Sequence, residues 1–229
     1  MKIGFCGFEI PEGKTKYNDP ILIELEKKFE PKKVTPFFAE FIQENFVQCD
    51  GILVSSDSLL DVLILDIEKF ETREQRSEDQ AENDLIQKCL KNLEEEMPLC
   101  QVEFSDSEQE ILNALSPLSL KPMVILDEQP DINDAIKLML EATKTMFFYT
   151  AGKQEVHAWP MPEGSDAVTC AGKIHSDLAR GFIKADVVTY SDLLMSHNLN
   201  EARTKGFVQL VGKTHIIKQG DVIEIRFNV

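Results

Sequence analysis

The chain has 229 residues, 43% of them hydrophobic, and a formal charge of −16. That much apolar material supports packed cores and excludes wholesale disorder. The acidic excess lies in residues 1–144, with 15 basic and 31 acidic residues, whereas 145–229 hold nine of each; an acidic body repels phosphate backbones, so any nucleic-acid contact is expected through the neutral last third.

Lys2 to Cys6 reads as a short buried strand. It leads into Gly7-Phe8-Glu9-Ile10-Pro11-Glu12-Gly13-Lys14-Thr15, which invites comparison with a phosphate loop. In such a loop backbone N–H groups wrap the phosphates, Lys neutralises them and Thr holds Mg²⁺. Here five residues separate the glycines instead of four, and Glu9 and Glu12 bring negative charge to where phosphates would sit. Pro20 is expected to cut short any helix that follows. Two readings stay open: a residual phosphate loop on Gly7, Gly13, Lys14 and Thr15, and a plain surface loop.

Apolar spacing predicts a helix over Ile21–Phe29 and another over Phe37–Val47, through Phe37, Phe38, Phe41, Ile42 and Phe46. Asp50-Gly51 turns the chain into a strand at Ile52–Val54. Asp57–Arg76 reads as a helix with Leu59, Leu60, Leu63, Ile67 and Phe70 on one face. Ser77, with Gln80 three residues on, is expected to cap a second helix, giving an acidic helical hairpin. Its outer carboxylates read as a solvated face, with a docking surface as the competing interpretation. Ser105 with Glu108 forms a capping-box pattern, Lys121–Leu126 reads as a buried strand, and Asp131 is expected to cap a further helix. The expected organisation is an α/β domain over 1–56 and 104–144, the helical hairpin over 57–103, and a separate domain over 145–229.

From Met146 the hydrophobic period changes to two. Phe147–Thr150 and Gln154–Trp159 read as a hairpin turning at Ala151-Gly152. Ala167–Leu178 reads as a helix and Phe182–Val188 as a strand. Ser191 is expected to cap a short helix near Leu193–Met195. Phe207–Val211, Thr214–Ile217 and Val222–Phe227 complete the strands. A hairpin, a helix, further short strands and a terminal strand are the order of a β-grasp, ubiquitin-like fold.

The stretches Phe147-Phe148-Tyr149-Thr150-Ala151-Gly152, Gly172-Lys173-Ile174-His175-Ser176-Asp177, Gly181-Phe182-Ile183-Lys184-Ala185-Asp186-Val187 and Gly220-Asp221-Val222-Ile223 resemble the C-terminal TGS domain of the YchF-type, Obg-like P-loop ATPases/GTPases. Upstream, Met1–Gly7, Asp61–Glu68, Leu93–Leu99 and Lys121–Val124 resemble that family's first strand, helical insertion and strand before the base-recognition motif. The departures are equally specific. No Asp-x-x-Gly switch motif occurs, and Glu128-Gln129-Pro130-Asp131 stands where the family has Asn-x-x-Glu. A nucleotidase needs phosphate cradle, metal site and positioned water together. The resemblance therefore implies a degenerate relative without hydrolysis: a shortened nucleotide domain carrying a TGS domain.

No cysteine or histidine spacing marks a nucleophile or a zinc site, and reduced thiols in a cytoplasmic protein are expected. Trp159 is expected in the core. Lys173, His175, Arg180 and Lys184 are the candidate contacts for RNA, a ribosome or a protein partner, as the resemblance implies for TGS domains. The competing interpretation has His175 hydrogen-bonded within the fold and the bases solvated. The expected function is thus a non-catalytic binding module with no cofactor. The alternative is residual ATP or GTP binding, with Mg²⁺, on Gly7, Gly13, Lys14 and Thr15.

Overall fold

The computed structural model describes residues 1–43 and 45–228; Glu44, within the helix expected over 37–47, and Val229 at the chain end lie outside the described residues. In chain order the elements are strands β1 (Lys2–Cys6) and β2 (Gly13–Lys16), helix α1 (Pro20–Phe29), and strands β3 (Lys33–Thr35), β4 (Phe38–Ile42) and β5 (Gly51–Ser55). Helices α2 (Leu59–Glu74), α3 (Gln80–Glu94) and α4 (Asp106–Leu115) follow, then strand β6 (Met123–Leu126) and helix α5 (Ile132–Ala142). The remainder is β7 (Thr145–Ala151), β8 (Glu155–Pro162), α6 (Ala167–Ile174), α7 (Ser176–Arg180), β9 (Phe182–Thr189), α8 (Tyr190–Leu194), α9 (Leu199–Thr204), β10 (Gln209–Val211) and β11 (Asp221–Phe227).

The chain folds into two compact units, one of Met1–Thr15 with Ala39–Thr143, the other of Lys16–Phe38 with Lys144–Val229. This division differs from the sequence-based one in two places. The helical hairpin belongs to the first unit, because Leu85, Ile86, Cys89 and Leu93 of α3 share one core with Ile52 and Val54 of β5. Residues 16–38 belong with the C-terminal segment, because their apolar side chains and β3 complete its sheet.

The first unit is built on a sheet of order β2-β4-β1-β5-β6. β4, β1, β5 and β6 run parallel, with Ile3 opposite both Phe41 and Gly51. β5 is buried throughout, as expected for a central parallel strand. The helix predicted over Phe37–Val47 is instead strand β4 followed by a 3₁₀ turn at Phe46–Gln48. Ala39 and Phe41 are buried while Phe38 is exposed, an alternation that pairing with β1 selects over the helical spacing of the same residues. Asp79, not Ser77, accepts the capping hydrogen bond of α3, from Ala81 N. The capping box of Ser105 and Glu108 on α4 and the Asp131 cap of α5 form as expected.

The second unit has a mixed sheet of order β10-β9-β11-β7-β8-β3. β7 and β8 form the expected antiparallel hairpin, β9 lies antiparallel to both β10 and β11, and β11 meets β7 in parallel at Val222 and Tyr149. One sheet face, with Phe148, Ala185, Val187 and Ile223, packs on Ala167, Cys170 and Ala171 of α6. Residues 16–38 add β3, parallel to β8, and α1. Leu22, Leu25 and Phe29 of α1 are buried. The rings of Tyr17 and Phe37 lie 6.1 and 5.1 Å from that of Phe147. Pro20 does not end a helix: it opens α1 at the first turn behind the Asp19 cap, where its missing N–H is no loss.

Three local expectations in this unit are corrected. The helix expected over Ala167–Leu178 is two helices, α6 and α7, separated at His175, whose backbone is extended. Thr189 rather than Ser191 caps α8. Thr214–Ile217 is not a strand and contributes one bridge, Ile216 to Asp166.

Candidate functional site

In the parallel sheet of the first unit, β4 and β5 flank β1 on opposite sides. The carboxyl ends of β1 and β5 therefore meet at the reversal of strand order, the position where open α/β sheets place ligands. The loop leaving β1 begins at Gly7, with φ of +77°. A Cβ there would stand 1.9 Å from Ser55 Oγ and 2.6 Å from Ser58 Oγ, so the bend is closed down onto the end of β5. Glu9 N donates to Gln129 Oε1 at 2.9 Å, and Gln129 Nε2 donates back to Glu9 O at 3.4 Å. Ser56 Oγ donates to the Asp127 carboxylate. Glu12 accepts from Gln43 N at 2.8 Å. Residues 7–12 are thus hydrogen-bonded to the loops after β4 and β6, and the loops after β5 and β6 are joined to each other.

The Gly-Lys-Thr residues do not start a helix. Gly13, Lys14 and Thr15 lie in the edge strand β2. Gly13 has φ of +110° with open space around it, and Lys14 is exposed. A phosphate cradle draws on the free N–H groups and dipole of a helix N-terminus directly after the loop. The next helix, α1, starts at Pro20 and belongs to the second unit. Gly7 is therefore at the switch point, and Gly13, Lys14 and Thr15 lead away from it. An open cleft of about 440 Å³ in the first unit is lined by Val47, Asn113, Leu118, Leu120 and Lys121, and lies elsewhere. Its lysine is occupied, Lys121 Nζ donating to Cys49 O at 2.8 Å.

In the second unit, the four candidate contact residues divide between two places. His175 caps α7: Asp177 N donates to its Nδ1 at 3.1 Å, so that nitrogen acts as an acceptor. Arg180 pairs with Asp177 at 2.8 Å. Lys173 is exposed in the last turn of α6. Lys184 instead stands opposite Arg226 on β9, two residues before Asp186, on the sheet face away from α6. The structure brings His175, Asp177 and Arg180 together and leaves Lys184 apart.

Sequence reasoning missed a charged centre beside Lys184. Asp186 is 2% exposed. Arg226 grips its carboxylate through Nε at 2.7 Å and Nη2 at 3.0 Å, and Arg203 of α9 donates to it at 2.9 Å. Burial pushes the Asp186 carboxyl up, but the two guanidinium groups outweigh it and hold it below the usual range. The signal was available, since Asp186, Glu224 and Arg226 recur at period two on adjoining strands. Trp159 is half-buried, stacked against His157 with ring centres 3.6 Å apart, and donates to Thr150 Oγ1 at 3.1 Å. Burial holds the His157 imidazole below its ordinary value despite the nearby Glu155. All five cysteines are unpaired, and burial pushes the Cys89 and Cys170 thiols up to about 12, which suits packing and not nucleophilic attack.

Residues 145–228 match the family YchF-GTPase_C, described as a protein of unknown function (DUF933). The chain is similar to the YchF family. It is 28% identical to the ribosome-binding ATPase YchF of Bacillus subtilis (strain 168), over 82% of this chain and 71% of that one. It is 41% identical to the ribosome-binding ATPase YchF of Mycoplasma genitalium, a match that spans 43% of this chain and only 27% of the relative. The structure of the Schizosaccharomyces pombe YchF GTPase superposes with a TM-score of 0.80 over 99% of this chain and 97% of that chain, at 17% identity. That likeness establishes a shared mixed α/β fold. Among the described residues no helix is long and apolar enough to cross a membrane.

Proposed function

We propose that this chain is a cytoplasmic, ribosome-contacting binding protein of Obg-like descent, in which the second unit is a TGS-type β-grasp domain and nucleotide hydrolysis has been lost. The observation that carries this reading is the strand order β8-β7-β11-β9-β10, with β7 and β11 parallel and α6 between β8 and β9 in sequence. That order supports the β-grasp reading, and it falls in the residues that match the YchF C-terminal family. Similarity to relatives named ribosome-binding ATPases supports the ribosome as partner.

The contact is assigned to the second unit on charge. The sequence of the first unit carries nine basic and 27 acidic residues; that of the second carries 15 basic and 13 acidic. All four candidates are exposed: Lys173, His175 and Arg180 at α6 and α7, and Lys184 apart from them on β9. Loss of hydrolysis is supported by Gly13–Thr15 lying in an edge strand and by the engagement of Glu9 N with Gln129.

Co-sedimentation with ribosomes across a salt series tests the reading. Pelleting is expected at low salt, to weaken as salt rises, and to be reduced in Lys173→Glu/Lys184→Glu. Absence of pelleting at low salt rejects it. No thermal shift is expected with millimolar ATP or GTP and Mg²⁺. A ligand at 100 times its dissociation constant stabilises by about 2.7 kcal/mol, and a shift of that size would restore the nucleotide-binding alternative.

A further inference from the structure

Helix α2 was expected to bury Leu60, yet Leu60 is 48% exposed, with Ile64 and Leu65 exposed to 44% and 45%. Leu60 and Ile64 are one turn apart on the same face, and Leu65 lies beside Ile64. The helix needs none of the three for its core, which it reaches through Leu59, Val62, Leu63 and Phe70. Asp57, Asp61, Glu68 and Glu71, all exposed, stand around this apolar patch. The two cations of the helix are turned to other tasks: Lys69 Nζ donates to Ser116 O at 3.0 Å, and Arg73 is paired with Glu82 at 2.8 Å. The patch is therefore apolar at its centre and anionic at its rim, on a unit with three times as many acidic as basic residues.

We propose that this face of α2 docks a lysine- or arginine-rich amphipathic helix of another protein. An amphipathic helix supplies an apolar stripe at the spacing of Leu60 and Ile64, and its flanking cations meet the rim carboxylates. A nucleic-acid strand would face the same carboxylates with like charge and is disfavoured. The site rests on the first unit alone, so it stands or falls separately from ribosome contact through the second.

The test uses the full chain and a fluorescent helix-forming peptide of Leu and Lys patterned at helical period, about 18 residues or five turns long, read by anisotropy at about 0.15 M salt. A peptide of the same composition in shuffled order and a single-stranded RNA of similar length are the comparisons. The patterned peptide is expected to bind at least about tenfold more tightly than either. Leu60→Ser/Ile64→Ser is expected to weaken it by about tenfold or more, the loss of two apolar contacts. Asp134→Asn/Glu141→Gln, which removes two exposed carboxylates on α5, a helix outside the core that α2 shares with α3, is expected to change it by less than about threefold. Every altered apolar and acidic site is exposed, and circular dichroism checks that both variants keep the parent fold. Equal binding of the shuffled peptide, tighter binding of the RNA, or a Leu60→Ser/Ile64→Ser chain that binds like the parent overturns the proposal.

Discussion

Tyr149 Oη donates to Asp19 Oδ2 at 2.7 Å, and both side chains are buried. The same Asp19 caps α1 by accepting from Ile21 N at 3.0 Å. One carboxylate therefore starts the helix and fastens it to β7 across 130 residues of sequence. Burial pushes the Asp19 carboxyl up against the hydrogen bonds from Tyr149 and Ile21, and pushes the Tyr149 phenol up strongly. Tyr149→Phe is expected to cost about 1–3 kcal/mol by depriving a buried carboxylate of a donor. Asp19→Ala is expected to cost about 2 kcal/mol or more, since a cap and a buried partner go together. Urea unfolding of both singles and the double should give a coupling of at least about 0.5 kcal/mol. Additive losses would mean the two residues act independently.

The family match begins at residue 145, but the folded unit begins at Lys16. A polypeptide of residues 144–229 alone would leave Phe147 and Tyr149 without the covering of Tyr17, Leu22, Leu25, Phe29 and Phe37. It is expected to aggregate or to bind hydrophobic dyes as a loosely packed state. Linking 16–38 to 144–229 through a flexible connector should restore a cooperative thermal transition. A cooperative transition from 144–229 without the added segment would count against this packing argument.

Gly7 and Gly13 both have positive φ, yet only Gly7 is crowded. Gly7→Ala combines left-handed strain with a clash on Ser55 and is expected to destabilise by about 2 kcal/mol or more. Gly13→Ala meets open space and should cost about 1 kcal/mol from backbone strain alone. Denaturant midpoints of the two variants give the comparison, and equal losses would indicate that the bend at Gly7 relaxes freely.

His157 has its pKa lowered by burial, so the folded chain binds its proton less readily than the unfolded chain does. The unfolded state then holds more protons below the ordinary histidine value near 6.5, and stability falls as pH drops through that window. His157→Gln should flatten the dependence of the melting temperature on pH between about 7 and 5. An unchanged slope would assign the effect to other groups.

The second sheet was largely legible because its strands alternate and its turns carry glycine. β7, β8, β9 and β11 emerge from that pattern alone. Phe37–Phe46 was not legible, because its phenylalanines satisfy a helical period and a strand period together, and only pairing with β1 decides between them. Lys33–Thr35 is too short to announce itself and becomes a strand through β8. The Gly-Lys-Thr triplet is ambiguous in sequence for a related reason. A motif fixes residue identity, but a phosphate cradle depends on the helix behind it, and here the chain extends into β2. The Arg-clamped Asp186 escaped notice because Arg203 reaches it from α9, a helix the periodicity did not predict.

Residues 16–38 leave the ribosome early, but the strands they pack against come more than 100 residues later. At about 5–20 residues per second, α1 and the rings of Tyr17 and Phe37 wait on the order of ten seconds for β7 to appear. Nascent-chain pulse proteolysis, on a chain extended at its C-terminus, should find residues 16–38 cleavable until the strands of the second sheet have emerged from the ribosome. The order of synthesis thus makes this short segment wait for partners that lie more than 100 residues further along the chain.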